Sequence, residues 1–167
     1  MSAISPRPIA DARVCLWQAD SVGYYSGYLS KDPDSFATPP LAIPFRPATA
    51  RASCVACSLS TSGESRYFRT IYPGWYYARC PHIHIKVHAG GKDLYTGELF
   101  LPEEWNKVIQ KLLPCNQHTT LERLPNSDDV TYQMAGGHDT LVSPTPMTPG
   151  QPELGLTGSI TVAVAGS

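Results

Sequence analysis

The sequence of 167 residues is 42% apolar and 16% charged, and its formal net charge is −1. This near-neutral composition creates no long-range field, so we expect neither nucleic acid nor an anionic membrane surface as a partner. No apolar run approaches the ~18 residues that a membrane-spanning helix needs. The length fits a single domain over residues 1–167, with enough apolar material for a core.

Sixteen prolines and thirteen glycines interrupt the chain along its whole length, which favours short strands over long helices. We therefore predict an all-β fold, an antiparallel β-sandwich with one short helix and long loops. In chain order, residues 9–20 are expected to form the first strand, which ends at Asp20. Residues 51–60 and 66–71 flank a predicted hairpin turn at residues 61–64. Between these elements, the proline-rich residues 31–47 are typical of a surface loop that lines a site entrance.

The stretch FRTIYPGWYYARCPHIHIKV, residues 68–87, contains the most informative pattern. On a strand, side chains alternate between two faces, so one face is predicted to enter the core with Ile83, Ile85 and Val87. The other face is predicted to carry His82, His84, Lys86 and His88. Two neighbouring imidazoles, with a tyrosine and an arginine just upstream, indicate a metal site beside a stabilising charge. A carboxylate ligand from elsewhere in the chain is left open.

The second half of the chain begins with a predicted turn at residues 89–92 and a strand at residues 94–101. Apolar residues then recur at helical spacing, which predicts one amphipathic helix that Pro114 stops. Its apolar face is expected to contain Trp105, Val108, Ile109, Leu112 and Leu113. Residues 116–148 are expected to be irregular, and residues 156–164 are expected to form a last strand.

The start of the chain and its cysteines bear on the compartment. The first residues lack the basic and apolar segments of a signal peptide, so we expect a cytoplasmic protein in the form given. A signal peptide that has been removed would make it a secreted protein. Five cysteines leave at least one thiol free, and the pair Cys54 and Cys57 has no second metal-binding pair. Idle or buried thiols are therefore the simpler interpretation.

Three stretches, LWQADSVGYYSGY, FRTIYPGWYYARCPHIHIKV and YTGELFLPEE, resemble the intradiol ring-cleavage dioxygenases. The resemblance continues through NSDDVTYQMAGG and GLTGSITVAV, and its most specific part is the RxxHxH block preceded by PGxY. It implies a non-haem enzyme with one mononuclear Fe(III) ion and O2 as co-substrate. It further implies a small catechol-type substrate, whose ring opens between the two hydroxyl-bearing carbons to give a cis,cis-muconate type product.

The same resemblance implies four iron ligands, namely Tyr25, Tyr76, His82 and His84. Neutral imidazole suits iron, and an anionic phenolate is a hard donor matched to a ferric ion. Tyr25 lies in the segment GYYS, and Tyr24 and Tyr28 are alternatives to it. Tyr25 and Tyr76 are also implied as catalytic residues.

Other residues are implied around the substrate. Arg79 falls on the arginine that lies over the substrate ring, and it is implied as catalytic, although a pairing with a surface carboxylate such as Glu64 is the alternative. Glu98 falls where the family usually carries a glutamine, and Tyr24 and Trp75 join it as expected pocket residues.

Two departures from the family pattern leave the substrate open. Only Arg51 matches the Arg-Gly-x-Gln segment that lines the pocket, and Glu98 replaces an amide. The chain resembles the short, single-domain members, and a homodimer is left open. Two other functions are weighed beside simple ring cleavage. One is a tailoring oxygenase for a bulkier catechol in a biosynthetic pathway, and the other is a metal-free β-sandwich that binds a ligand.

Overall fold

A computed structural model describes residues 8–25, 55–59, 65–117 and 122–164. Within these ranges the chain forms a four-stranded antiparallel sheet in the order β2-β1-β3-β4 and a two-stranded antiparallel sheet of β5 and β6. The strands are β1 Arg13–Trp17, β2 Val55–Leu59, β3 His82–Ala89, β4 Lys92–Phe100, β5 Ser143–Pro146 and β6 Leu156–Ser159. The predicted antiparallel β-sandwich class is confirmed. The single domain over residues 1–167 stays a prediction.

The apolar face of β3 forms the centre of the main core. Ile83, Ile85 and Val87 are 9%, 4% and 6% exposed, as the alternation predicts. Val142, Ile160 and Val162, which flank the smaller sheet, pack against this cluster. The opposite face of β3 is thereby left for polar side chains.

Register across the large sheet places three functional side chains in one row. Trp17 on β1 lies opposite His84 on β3, and His84 lies opposite Glu98 on β4. Directly opposed residues on neighbouring strands point to the same face of a sheet. The row therefore joins residues that are far apart in sequence.

The predicted turn at residues 89–92 is confirmed. Ala89 pairs with Lys92, and Gly90 and Gly91 both have positive φ, at 56° and 74°. Two consecutive positive φ angles suit the tight turn that joins two strands with a right-handed twist, and glycine adopts them without strain. This hairpin fixes the register between His84 and Glu98.

Several local predictions are wrong. Residues 66–71 form no strand, and β2 pairs with β1 instead of closing a local hairpin. The expected turn at residues 61–64 and the loop at residues 31–47 lie outside the described residues. The two predicted outer strands are shorter than expected, since β1 covers only Arg13–Trp17 and β6 covers only Leu156–Ser159. The physical reason is that β1 occupies the edge of β3, so it provides the partner that β2 needs.

The helical predictions are correct in part. Helix α1, Glu103–Ile109, ends before Pro114, and Val108 and Leu113 are exposed instead of facing the core. A second helix, α2 Val130–Met134, interrupts the segment that was expected to be irregular. It begins at Asp129, whose carboxylate accepts hydrogen bonds from the backbone N–H groups of Thr131 and Tyr132. Neither helix has the length or apolar content to cross a bilayer, and the same holds for the rest of the described chain.

The cysteines depart from the expectation of idle thiols. Cys15 on β1 and Cys57 on β2 face each other in register and form a disulfide. Cys80 and Cys115 are buried free thiols, and Cys54 lies outside the described residues. The sequence draws attention to the neighbouring pair 54 and 57, whereas strand register selects Cys15 as the partner of Cys57.

Candidate metal centre

His82 and His84 lie at the start of β3, and two loops each place a tyrosine beside them. Tyr25 follows β1, after a turn in which the Asp20 carboxylate accepts hydrogen bonds from the backbone N–H groups of Val22 and Tyr24. Tyr76 belongs to a second turn, in which the Arg79 N–H donates to the Tyr76 carbonyl at 3.0 Å. Both turns fold back over the polar face of β3.

Gly74 allows these two loops to touch. Its N–H donates to the Asp20 carbonyl at 2.8 Å, and a Cβ at this position would lie only 2.6 Å from the Gly23 nitrogen. Because any side chain here would collide with backbone, glycine is the residue that permits the contact. The PGWY segment therefore brings Tyr76 beside Tyr25, with the two ring centroids 5.7 Å apart.

Each tyrosine meets one histidine. The distance from Tyr25 Oη to His84 Nε2 is 3.0 Å, and the distance from Tyr76 Oη to His82 Nε2 is 3.3 Å. The two imidazole centroids lie 4.8 Å apart with nearly perpendicular planes. The structure thus brings together all four residues for which the resemblance implies iron ligation, and three of them are buried.

A further contact fixes the orientation of each imidazole. His82 Nδ1 donates to the Cys80 carbonyl at 2.7 Å, which leaves the Nε2 lone pair facing Tyr76. The indole of Trp17 stacks on His84, with centroids 4.9 Å apart and planes 9° apart. Trp17 therefore holds a site residue in place.

Protonation of the histidines is disfavoured. Burial, together with the Arg79 cation, lowers the pKa of His82 to about 3. Burial, together with the neighbouring His82, lowers the pKa of His84 to about 3. Both imidazoles are therefore neutral at ordinary pH, which is the form that binds a metal.

The pKa values of the two tyrosines shift in the opposite direction. Burial raises the pKa of Tyr76 to about 12 and raises the pKa of Tyr25 well above 10. In the absence of a cation, both phenols keep their protons. A bound metal ion would reverse this preference, because a phenolate that binds a cation loses its proton readily. Two neutral imidazoles and two phenols that face them are a donor set that fits a ferric ion.

Arg79 is buried beside this cluster. Its guanidinium donates to Glu98 Oε2, to Asp129 Oδ2 at 3.0 Å and to Tyr76 Oη at 3.4 Å. Asp129 also accepts from the Cys80 N–H at 2.9 Å, so it ties Arg79 to the start of β3. Glu64, the alternative partner, lies outside the described residues. Two carboxylates therefore hold the cation against Tyr76.

Sequence reasoning did not identify Asp129. It lies 50 residues from Arg79 in the segment NSDDV, where the only local signal is that of a helix N-cap. Its second carboxylate oxygen is free to bind Arg79 because the first accepts the two helix N–H groups. Residues of this kind emerge only when long-range contacts are known.

Glu98 completes a group that could hold a metal ion. Its Oε1 lies 3.6 Å from His84 Nδ1 and 3.9 Å from His82 Nε2. One ligand atom from each of these three residues lies within 4.8 Å of the others. Glu98 on β4 is therefore a remote carboxylate of the kind that the sequence analysis left open as a further ligand.

The remaining predicted residues lie at the margin. Tyr24 is half-buried, and among the tyrosines that the structure describes, Tyr25 and Tyr76 are the ones hydrogen-bonded to the two histidines. Tyr28 lies outside the described residues. Trp75 packs with Ile109 and Cys115 in a separate apolar cluster. Pocket roles for Tyr24 and Trp75 stay predictions.

Comparison with solved structures gives strong matches. An intradiol ring-cleavage dioxygenase from Tetranychus urticae is 28% identical with a TM-score of 0.76, and the match covers 95% of this chain and 73% of that chain. A second solved dioxygenase has the same identity, 28%, and the same TM-score, 0.76, with 95% and 72% covered. No protein-family model and no curated protein matches the chain.

A third match supports the fold alone. The dioxygenase domain of a dioxygenase and carbohydrate-binding fusion from Streptomyces sp. SirexAA-E is 21% identical with a TM-score of 0.53, covering 92% of this chain and 68% of that chain. The sandwich, its buried cluster of histidines and tyrosines and the two stronger matches define an oxidoreductase of the dioxygenase class. Over 95% of its length the chain is similar to an intradiol ring-cleavage dioxygenase, the family that its sequence motifs predict.

Proposed function

We propose that the protein uses one Fe(III) ion and O2 to cleave a catechol-type ring between its two hydroxyl-bearing carbons, which gives a cis,cis-muconate type diacid. The observation that carries this proposal is the convergence of two tyrosine–histidine pairs, at 3.0 Å and 3.3 Å, from separate parts of the chain. Structural similarity to an intradiol ring-cleavage dioxygenase supports the reaction type.

Tyr25, Tyr76, His82 and His84 would hold the iron. The histidines are already neutral, and the tyrosines already point their oxygens at the histidine nitrogens. A bound ferric ion would supply Lewis acidity that draws electron density from a chelated catechol. Two phenolate charges would favour the ferric over the ferrous state, because anionic oxygen donors stabilise the higher charge.

The tyrosines would also take part in proton transfer. Burial raises the pKa of both phenols, so a tyrosine oxygen that is released when substrate binds becomes a strong base. A catechol hydroxyl beside it can supply the proton. Arg79 Nη1 lies 3.4 Å from the Tyr76 oxygen and stabilises the phenolate form, which partly offsets the rise in pKa that burial causes.

Arg79 would stabilise the charge that develops on the substrate. Glu98 and Asp129 fix the guanidinium in place before any substrate arrives, so little reorganisation is needed during the reaction. A preorganised group of this kind is commonly worth about 3 kcal/mol of barrier. Burial by itself lowers the pKa of Arg79, but the neighbouring Tyr76, Glu98 and Asp129 outweigh it and raise the pKa above its ordinary value, so the guanidinium stays cationic.

A panel of catechols tests the proposal. The iron-loaded protein is incubated with simple and polycyclic catechols under ¹⁸O2, while oxygen uptake and muconate-type absorbance are recorded. We expect a ring-opened diacid that contains both labelled oxygen atoms. Product from the polycyclic compounds alone would identify the tailoring oxygenase, and a preparation without iron that binds but does not convert any catechol would identify a metal-free binding protein.

A further inference from the structure

Glu98 faces the two histidines from β4, and among the residues that the structure describes one of its oxygens has no hydrogen-bonded partner. Oε2 accepts from the Arg79 guanidinium. Oε1 lies 3.9 Å from His82 Nε2 and 3.6 Å from His84 Nδ1. Over the ranges that the structure describes, no hydrogen bond reaches Oε1, and the side chain is only 13% exposed.

Both distances are too long for hydrogen bonds, and the distance to His82 Nε2 suits two donors that share one ion. Two donors about 2.1 Å from a metal are about 3.0 Å apart at a right angle and about 4.2 Å apart when they lie opposite each other. The separation of 3.9 Å between Oε1 and His82 Nε2 lies inside this interval. His82 has Nδ1 engaged by the Cys80 carbonyl, so Nε2 is the nitrogen that remains for a metal.

We infer that Glu98 is a fifth protein ligand of the iron, binding through Oε1 while Oε2 holds Arg79. This inference rests on the proposed iron site. Two phenolates and one carboxylate balance the three charges of Fe(III) without a solvent anion. Asp129, which is fully buried and 3.0 Å from Arg79 Nε, balances the guanidinium separately. The site then contains no uncompensated charge, as burial requires.

A purely positioning role is the rival. His84 turns Nε2 toward Tyr25 and Nδ1 toward Glu98, so the carboxylate could instead orient the imidazole from behind. Alternatively, Glu98 could act only through Arg79. Both rivals leave the number of solvent molecules on the metal unchanged when Glu98 is altered, whereas loss of a ligand opens a position for water.

Glu98→Gln and Asp129→Asn form a matched pair, because each removes one carboxylate charge from Arg79 and only Glu98 faces the histidines. Iron affinity is measured by competition with a chelator, and bound solvent is measured as broadening of the ferric EPR signal in H2¹⁷O. We expect Glu98→Gln to weaken iron binding by at least about tenfold and to gain ¹⁷O broadening relative to the unaltered protein. Asp129→Asn should keep the broadening of the unaltered protein.

Unchanged ¹⁷O broadening in Glu98→Gln, or equal changes in both variants, would overturn the inference. Where Asp129→Asn fails to fold, Arg79→Gln serves as the comparison, because it removes the shared partner of both acids. An unaltered protein that binds no iron would overturn the proposed function and this inference together. Iron binding with no gain of solvent in Glu98→Gln would overturn this inference alone.

Discussion

The polar face of β3 divides into two halves that have similar residues and different environments. His82 and His84 lie under the tyrosine loops, among Trp17, Tyr25 and Tyr76. Lys86 and His88 continue the same face toward the hairpin, where both pair with the Asp93 carboxylate at 2.6 Å and 2.5 Å. Asp93 is 56% exposed, so this second half is a solvated charge cluster.

The difference teaches that strand alternation selects a face, and that covering elements decide which part of the face becomes a site. The loops after β1 and around Gly74 cover only the first half. Burial there removes charge from the histidines and prepares them for a metal. The exposed half gains only a surface ion pair, which contributes little to stability because water and salt screen it.

The largest contrast is expected from alanine substitutions at equivalent positions of the two halves. His82→Ala should weaken iron binding by at least about 100-fold, because it removes a ligand and its link to the Cys80 carbonyl. His88→Ala is the matched control and should keep full iron content. Metal analysis of both purified variants checks this, and equal iron in the two would contradict the assignment of the site.

Removal of a single phenol oxygen should alter the visible absorption of the iron-loaded protein without unfolding it. Tyr76→Phe should lose or shift the visible charge-transfer band of the iron-loaded protein and lower kcat by about 100-fold or more, since the phenol also handles a proton. Tyr67→Phe is the control, because Tyr67 is 89% exposed. Visible spectra and initial rates on the same preparations provide the test, and an unaltered spectrum in Tyr76→Phe would remove this tyrosine from the ligand set.

Some residues of this region can be placed from local sequence patterns, whereas the residues in these two predictions required family motifs. Alternation in HIHIKV correctly placed Ile83, Ile85 and Val87 in the core, because period-two burial is a local property of a strand. The glycine pair at residues 90 and 91 fixed the hairpin for a similar local reason. The iron ligands could be proposed together only because family motifs connect Tyr25 to a strand 59 residues away.

The sequence did not identify which residues pair over long distances along the chain. Nothing near Asp129 indicates a contact with Arg79, and the Cys57 disulfide depends on the register of β1 and β2. The false strand at residues 66–71 has the same origin, since short apolar segments look alike whether or not an edge is free to pair with them. Glu98 was located as a family position, but its approach to both histidines required the register of β3 and β4.

A smaller effect is expected from pH in the metal-free protein. The folded-state pKa of each buried histidine is lowered to about 3, whereas the unfolded chain binds these protons near the ordinary value of about 6.5. The unfolded state therefore holds more protons between these values, and stability falls as pH decreases from about 6.5 toward 3. Each imidazole contributes up to about 1.4 kcal/mol per pH unit in this window.

Urea unfolding across that pH window measures the effect. His84→Gln should have a shallower dependence of unfolding free energy on pH than the unaltered protein. His88→Gln, from the exposed half, should retain the original slope. A slope in His84→Gln equal to that of the unaltered protein would contradict burial of a neutral imidazole at this position.

The smallest effect is expected in the exposed half itself. Asp93→Asn removes the acceptor shared by Lys86 and His88 and should shift the urea midpoint only slightly at low salt. The shift should vanish at high ionic strength, because exposed charges are screened. Iron content should not change. A loss of iron in this variant would mean that the two halves of the face are coupled.

The central claim is that two phenols and two imidazoles surround one ferric ion. Iron analysis of protein expressed in iron-rich medium, combined with its visible absorption spectrum, tests that claim most directly. We expect one iron per chain and a red-brown protein, because phenolate-to-iron charge transfer absorbs visible light. A colourless protein with one iron per chain would contradict tyrosinate ligation, and a protein without iron would contradict the site as a whole.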